Sequence, residues 1–259
     1  MITSRNWHLL KGFFLRDVTT KYAGTLVGGL WALGQPVLLL LIYSFVFRKI
    51  FKVEFPELES HSFTAFVAIA LWPWMAFQES VMRGSQSIVG NAALIKKVAF
   101  PNELLVISAV ASNFAIQFAG FCAVMLVLAV AGEPLSIRAV PVVLLCWTVL
   151  FVLATVITML LAALQVFLKD IDHLLGPAFM IAFYATPVLY PLSKVPDVIV
   201  PLMSLNPVVH VIEPMRTAIM FGKLGDVVEL LPVVAALVVV APLVRMVFVR
   251  LSQSFEDFV

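Results

Sequence analysis

The chain has 259 residues, of which 62% are hydrophobic and only 12% are charged, and its formal net charge is +2. A soluble globular domain carries about twice that charged fraction. The composition therefore excludes such a domain and predicts an integral membrane protein.

Residues 1–21 have the pattern of an amphipathic helix that lies in the membrane interface. The apolar residues at helical offsets are Trp7, Leu10, Phe14 and Val18. The basic residues beside them are Arg5, Lys11, Arg16 and Lys21. The alternative is a disordered basic leader.

Six later stretches are long and apolar enough to be transmembrane helices, since about 20 residues at a rise of about 1.5 Å cross a bilayer core. We predict these helices at 26–48, 62–82, 104–131, 139–168, 172–192 and 229–250. With both termini in the cytoplasm, more Lys and Arg residues lie on the cytoplasmic side than outside, as the positive-inside rule favours. The predicted fold is one all-α transmembrane domain over residues 1–259.

The 86–101 segment is a polar interlude between the second and third predicted transmembrane helices. In a helix, Ile88, Ala92 and Ile95 would line one side, with Lys96 and Lys97 following them. Phe100 and Pro101 would close it. The pattern predicts an amphipathic helix that docks into a soluble partner.

The 196–222 segment is apolar but interrupted by Pro196, Pro201, Pro207 and Pro214. These prolines exclude one continuous transmembrane helix. Two half-helices that enter and leave the outer leaflet fit both features, provided that they pack on protein.

The sequence contains no glycine-rich loop ending in Gly-Lys-Ser/Thr, so any nucleotide energy must come from another subunit. We assign no metal site, because His210 and Glu213 form only half of a metal motif. At Asp170, Asp172 and His173 we prefer a second partner contact to a metal site. The first, third, fourth and fifth predicted transmembrane helices carry no Asp, Glu, Arg or His in mid-span, which argues against an ion-coupled carrier.

Aromatic residues recur along the second, third and fifth predicted transmembrane helices. They are Trp72, Trp74, Phe77, Phe114, Phe118, Phe121, Phe183 and Tyr184. Individually such residues more often face lipid. Together they would suit a channel in which sugar rings stack on aromatic rings.

Several stretches together resemble one known family. They are Arg16-Asp17-Val18 with Lys21-Tyr22, LWPWMAFQESV, SIVGNAALIKKVAFPNELL, LNPVVHVIEPMR and the terminal SFEDFV. The chain is similar over its whole length to the permease subunits of bacterial ABC exporters for lipid-linked polysaccharides such as O-antigen, teichoic acid and capsule.

The resemblance implies a homodimeric channel in the bacterial inner membrane that binds two copies of a cytosolic ATPase, which would hold ATP and magnesium. We expect no cofactor on this chain and no nucleic-acid partner. The substrate would be a polysaccharide linked to undecaprenyl diphosphate, surrounded by membrane lipid.

The resemblance also implies roles for individual residues. The ATPase-coupling residues would be Ser87, Ile88, Asn91, Leu94, Ile95, Lys96, Lys97, Phe100, Asp170, Asp172 and His173. The periplasmic gate would comprise Pro201, Asn206, Pro207, His210, Glu213 and Pro214. The diphosphate headgroup would meet Arg5, Lys11, Arg16 and Lys21.

Two alternatives remain at this stage. One is an exporter of the same architecture for a drug or lipid, which hydrophobic compounds but not glycans would stimulate. The other is a scaffold that recruits a soluble partner without transport, which would show no ATP-dependent substrate movement in vesicles. An enzyme is the least favoured class, because no nucleophile, base and orienting group occur at a recognisable spacing.

Overall fold

The computed structural model describes residues 4–21, 31–50 and 61–258, and every regular element in these ranges is helical. The α-helices are α1 (Ser4–Thr20), α2 (Trp31–Phe45), α3 (Phe63–Ser85), α4 (Ala92–Ile95), α5 (Glu103–Val130), α6 (Val140–Phe167), α7 (Asp170–Tyr184), α8 (Val200–Met203), α9 (Val209–Phe221), α10 (Leu231–Ser252) and α11 (Phe255–Phe258). A π-helical turn, Val46–Ile50, follows α2 directly. Short 3-10 turns occupy Val89–Asn91, Ile137–Ala139, Leu192–Lys194 and Gly225–Leu230.

Four helical stretches in the described ranges are long and apolar enough to cross a membrane. They are Phe63–Ser85, Glu103–Val130, Ile137–Phe167 and Gly225–Ser252. These stretches coincide with the second, third, fourth and sixth predicted transmembrane helices. The part of the chain that the structure describes is therefore all-helical and has the long apolar helices of an integral membrane protein.

The fifth predicted transmembrane helix is shorter in the structure, and the first is helical from Trp31 to Ile50 in the part that the structure describes. Helices α2 and α7 have 15 residues each, about 22 Å at the usual rise. The start of the predicted 26–48 helix falls in residues 22–30, outside the described ranges. The predicted 172–192 helix ends at Tyr184, because Thr186 precedes Pro187 and a residue before proline disfavours helical geometry. The total of six transmembrane helices stays a prediction.

The 196–222 segment forms two short helices, α8 and α9, as the proline spacing predicts. Between them Asn206 accepts a hydrogen bond from the backbone N–H of Val208 at 3.0 Å. Helix α9 ends at Gly222, whose φ of 65° is left-handed and suits a residue without a Cβ atom. The depth of this segment in a membrane stays a prediction.

The helical bundle has two distinct ends. We call the end that carries α1, the 86–101 segment and α11 the base, and the end that carries α8 and α9 the top. At the base, Arg16 of α1 donates to Asn91 at 3.0 Å. At the top, the Ser136 N–H donates to the Ile219 carbonyl at 2.8 Å. Both chain ends described here, α1 and α11, therefore lie on the same side of the bundle.

Helix α3 is the most enclosed of the four membrane-length helices, and its crossing with α6 is tight. A Cβ atom added at Gly84 would lie 2.4 Å from Cγ2 of Thr158. Real Cβ atoms do not approach that closely, so only glycine allows this approach.

We expect Gly84→Ala to lower the free energy of unfolding by about 1–3 kcal/mol, the usual effect of overpacking a core. The measurement is thermal unfolding of the purified protein in detergent. Thr158→Ser in the same chain removes the clashing methyl group and should restore much of the loss.

Gly176→Ala is the matched control, because a Cβ atom at this helical glycine meets nothing within 4 Å. It should leave the unfolding midpoint unchanged or slightly raised. Equal midpoints for Gly84→Ala and the wild type would contradict the tight crossing.

Candidate functional site

The 86–101 segment contains less helix than the sequence predicts. It consists of the 3-10 turn Val89–Asn91 and the single turn α4, and it then becomes non-helical before Pro101. Gly90 and Asn91 are weak helix formers, and Phe100 precedes a proline. Four residues of α-helix cannot be stable alone, so contacts with the rest of the chain must hold the segment in place.

The apolar side of the segment faces the protein's own core. Ile88 is 0% exposed and Ile95 is 3% exposed. The residues that share their cluster come from α5, α6, α10 and α11: Leu105, Val106, Val156, Met159, Ala162, Ala163, Val166, Val244, Phe248 and Phe255. Ile88 and Ile95 thus lie on one side, as predicted, but that side supports the segment and is not available for docking.

The C-terminal helix α11 completes this cluster. Phe255 is 0% exposed, and its ring centroid lies 5.6 Å from that of Phe248 and 6.3 Å from that of Phe167. The neighbouring Glu256 and Asp257 are exposed. One aromatic side chain therefore anchors the end of the chain beneath the 86–101 segment.

Helix α1 holds the segment from another side. Besides the hydrogen bond from Arg16 to Asn91, the rings of Phe13 and Phe100 lie 5.6 Å apart. The Arg16 guanidinium also lies 5.3 Å from the centre of the Phe13 ring. These contacts join the predicted interface helix to the predicted coupling element.

The two predicted coupling elements adjoin each other in the structure. Gln86 donates a side-chain hydrogen bond to Asp172 in the first turn of α7, and Asp170 and His173 are exposed beside it. The side of the 86–101 segment that stays exposed presents Val89, Gly90, Ala93, Lys96, Lys97 and Val98. We call these six residues the exposed face. Leu94, by contrast, is half-buried.

Lys21, which we predicted to bind the diphosphate headgroup, is buried and already paired within the protein. Its side chain is 8% exposed, and its ammonium donates to Glu79 at 3.0 Å and to Asn113. Burial lowers the pKa of Lys21, and the charge of Glu79 opposes that shift. Asn113 also donates to Ser80 at 2.9 Å, so it joins α5 to α3.

The other predicted headgroup residues are placed less tightly. Lys11 and Arg16 are both exposed on α1, and the Arg16 side chain reaches Asn91. Arg5 also belongs to α1, but its side chain lies outside the described part of the protein.

The predicted channel aromatics separate into two groups. Phe114, Phe118 and Phe121 of α5 surround Trp147 of α6, with ring centroids 5.0–5.9 Å from it. Trp74 and Phe77 of α3 contact Phe179 of α7, and Trp74 also contacts Phe183. Trp72 is fully buried, whereas Tyr184 is exposed. The structure therefore does not bring these residues together into one aromatic channel.

One predicted gate residue, Glu213, pairs with a buried cation that the sequence analysis missed. Arg216 is 2% exposed, pairs with Glu213, donates to the Pro187 carbonyl at 2.7 Å, and lies 3.8 Å from the centre of the Phe66 ring. The sequence feature that could have indicated this pair is an isolated arginine, Arg216, one helical turn after Glu213 in an otherwise apolar stretch.

The remaining gate residues shape the local backbone. Asn206 donates to Thr186 at 2.8 Å, and a ring nitrogen of His210 lies 2.8 Å from the Ser204 carbonyl oxygen. Pro201 lies in the first turn of α8, Pro207 follows Asn206 between the two helices, and Pro214 lies inside α9. No group of three His, Cys, Asp or Glu residues that could hold a metal occurs in the ranges that the structure describes.

These features define a multi-pass membrane protein whose 86–101 segment is held against the base of the bundle. The chain belongs to the ABC-2 type transporter membrane family, which matches residues 8–220. This finding confirms the resemblance at the level of the family.

Similar proteins cover most of the chain. The O-antigen export system permease protein RfbA of Myxococcus xanthus is 31% identical over 254 residues, 96% of this chain and 94% of that protein. A Klebsiella pneumoniae permease of the same name is 26% identical over 81% of this chain and 79% of its own length. The polysialic acid transport protein KpsM of Escherichia coli is 25% identical over 85% of this chain and 84% of its own length.

Phe255→Ala should loosen the 86–101 segment, because removing a fully buried phenylalanine typically costs 3–5 kcal/mol, which exceeds the stability of one helical turn. We expect at least about tenfold faster amide hydrogen exchange in residues 88–97 of the purified protein. Phe258→Ala is the matched control, since Phe258 is 60% exposed. Unchanged exchange in Phe255→Ala would show that α11 does not support the segment.

Proposed function

We propose that this chain is the channel-forming permease subunit of an ATP-driven exporter that moves a polysaccharide linked to undecaprenyl diphosphate, of the O-antigen type, from the cytoplasm to the periplasm. The protein would reside in the bacterial inner membrane with both termini in the cytoplasm. The observation that carries the proposal is similarity over nearly the whole length to permeases named for O-antigen export.

The base of the bundle supports a role in coupling. The 86–101 segment is held by α1, α6, α7, α10 and α11, yet its exposed face offers two apolar side chains, Val89 and Val98, beside two cations, Lys96 and Lys97. A rigidly held element with an apolar and basic face suits a partner groove of complementary charge. We assign this face, with Asp170, Asp172 and His173 beside it, to a cytosolic ATPase that binds ATP and magnesium.

The supports also indicate how force would be transmitted. Movement of the 86–101 segment would affect α6 and α10, because Ile88 and Ile95 belong to the same close-packed cluster as side chains of these helices. Gln86 extends the connection to α7 through Asp172. Closure of two ATPase subunits would therefore displace transmembrane helices together with the segment.

We assign the glycan path to a groove between α2, α3 and α7, because the eight predicted channel aromatics do not line one common path. Its volume is about 280 Å³, and its lining includes Tyr43, Trp74, Gln78, Phe183 and Tyr184. Trp74 donates to Gln78 at 3.0 Å, so a polar and an aromatic side chain lie side by side here. Sugar hydroxyls need such polar partners, because their transfer into hydrocarbon without hydrogen bonds is costly.

The groove also supports a homodimer. Apolar side chains on its borders are exposed, including Leu38 and Leu41 of α2 and Met180 and Ile181 of α7. A second copy against these two short helices would enclose the groove as a continuous channel. At its top, the two half-helices α8 and α9 would form the gate, with Arg216 fixing α9 to the chain after α7.

Deletion of the gene should remove the surface polysaccharide and leave the lipid-linked glycan trapped in the cytoplasm, because a hydrophilic glycan cannot cross the bilayer without a protein-lined path. The measurement compares extracted surface polysaccharide with glycan accessible only after lysis. Complementation with Ala93→Asp should restore membrane insertion but leave export reduced at least about tenfold, since a new charge would be buried in the ATPase contact.

Ile137→Asp is the matched control, because Ile137 is an exposed apolar residue at the top of the bundle and outside the proposed contact. It should restore export. Unchanged surface polysaccharide in the deletion strain would refute the export function. Normal export by Ala93→Asp would refute only the docking assignment.

A further inference from the structure

A polar cavity lies at the base of the bundle, where α1, the end of α3, the 86–101 segment and α5 meet. Its volume is about 260 Å³, far more than the roughly 10–15 Å³ that one water molecule requires. Its lining includes Arg16, Asp17, Arg83, Ser87, Asn91 and Ser112. The cavity lies apart from the groove between α2, α3 and α7 that we assign to the glycan.

The charged side chains of this cavity are not balanced. Arg16 contacts Asp17 through two hydrogen bonds of 3.0 and 3.2 Å, and Asp17 also accepts a bond from Ser108. Arg83, in contrast, has no hydrogen bond or ion pair with any residue in the described ranges. Two guanidinium groups therefore face one carboxylate, which leaves an excess positive charge at the cavity.

A buried hydroxyl in the lining also lacks a partner. Ser87 is 9% exposed, and its Oγ atom forms no hydrogen bond with the described residues. Leaving a buried polar group unsatisfied costs about 1–3 kcal/mol. Nearby, the Asn91 side chain donates to the Ser87 carbonyl, so this carbonyl is occupied but the hydroxyl is not. Because Ser87 also lines the cavity, rotation of its side chain would let the hydroxyl donate to an acceptor-rich ligand there.

A phosphate group matches this arrangement better than a carboxylate does. A diphosphate between a lipid and a glycan offers several acceptor oxygens and one negative charge on each phosphate, while guanidinium groups bind phosphate oxygens with paired N–H donors. Arg16 and Arg83 lie on different helices, so one phosphate or diphosphate between them would gain contacts from both sides.

We propose that this cavity binds a phosphate group, with Arg83 and Arg16 as its cationic ligands and Ser87 as a hydroxyl donor. The proposal rests on the proposed function only for the source of the phosphate, which would be the diphosphate of the lipid-linked substrate. It replaces Lys21, which Glu79 and Asn113 already occupy, with Arg83, a residue that the sequence analysis did not assign.

Because of the position of the cavity, phosphate binding would affect the 86–101 segment. Ser87 and Asn91 belong to the 86–101 segment, and Asn91 also accepts from Arg16. A ligand that draws Arg16 or Ser87 towards itself would alter the contacts that hold the segment. Arrival of the substrate headgroup would thereby be communicated to the element that we assign to the ATPase.

Titration of the full-length chain in nanodiscs, without an ATPase subunit that would bind phosphates itself, tests the proposal. The probes are farnesyl diphosphate, inorganic diphosphate and farnesol, and isothermal titration calorimetry gives the Kd. We expect the wild type to bind farnesyl diphosphate, Arg83→Gln to weaken it at least about tenfold, and Ser87→Ala about three- to tenfold. Arg83→Lys should lie between wild type and Arg83→Gln.

Arg250→Gln is the matched control, because Arg250 is an exposed arginine near the end of α10 at the base and does not line the cavity. It should bind like the wild type. Unfolding midpoints measured in parallel must show that Arg83→Gln and Ser87→Ala are folded, and farnesol should bind without sensitivity to any of these variants.

The results distinguish a lipid-borne phosphate from a free phosphate, and they also show whether the cavity binds phosphate at all. Tighter binding of farnesyl diphosphate than of inorganic diphosphate supports a lipid-borne headgroup, and equal affinities support a site for free phosphate. Wild-type affinity in both Arg83→Gln and Ser87→Ala, or equal weakening in Arg250→Gln, would overturn the cavity as a phosphate site. Such a result alongside lost export in the deletion strain would leave the proposed function intact.

Discussion

Burial of Ile88 and Ile95 is the interaction on which the base of the molecule depends. The 86–101 segment contains only one turn of α-helix, too short to persist on its own. It keeps its shape because two isoleucines are enclosed by α5, α6, α10 and the C-terminal Phe255. The same burial leaves the opposite side of the segment exposed, and this exposed face is what a partner can contact.

Two buried cations fix the bundle near its ends. Lys21 pairs with Glu79 and Asn113 towards the base, and Arg216 pairs with Glu213 and backbone carbonyls at the top. An unpaired charge in either place would be strongly unfavourable, so each pair ties a peripheral element to the membrane-length helices. The first pair secures the end of α1 against α3 and α5, and the second secures α9 beside the chain that follows α7.

Hydrophobic run length and proline spacing were sufficient to predict most of the helical architecture. The helices from 62–82, 104–131, 139–168 and 229–250 lie within a few residues of the predicted bounds, and the prolines correctly indicated two short helices in 196–222. The fifth predicted transmembrane helix was too long, because apolar composition continues past the break at Thr186-Pro187 that ends α7. The start of the first lies outside the described ranges.

The candidate site was less accessible to sequence reasoning. Periodicity correctly placed Ile88 and Ile95 on one side, but it cannot tell whether that side is covered by a partner or by the chain itself. The covering residue Phe255 lies more than 150 residues away in an acidic tail. The sequence does not show which charged side chains pair in the fold. It therefore indicated Lys21 as a phosphate ligand, although Lys21 is paired, and it did not indicate Arg83. The aromatic residues likewise divided between two packing clusters that only the helix arrangement reveals.

The central claim is that the exposed face of the 86–101 segment, and not its isoleucine side, contacts the ATPase. Cysteine crosslinking tests it directly, in a chain whose Cys122 and Cys146 are replaced by serine and which is co-expressed with its ATPase. The account predicts that Ala93→Cys crosslinks efficiently to the ATPase through a short bifunctional reagent and that Ile95→Cys does not. Efficient crosslinking through Ile95→Cys, with none through Ala93→Cys, would contradict it.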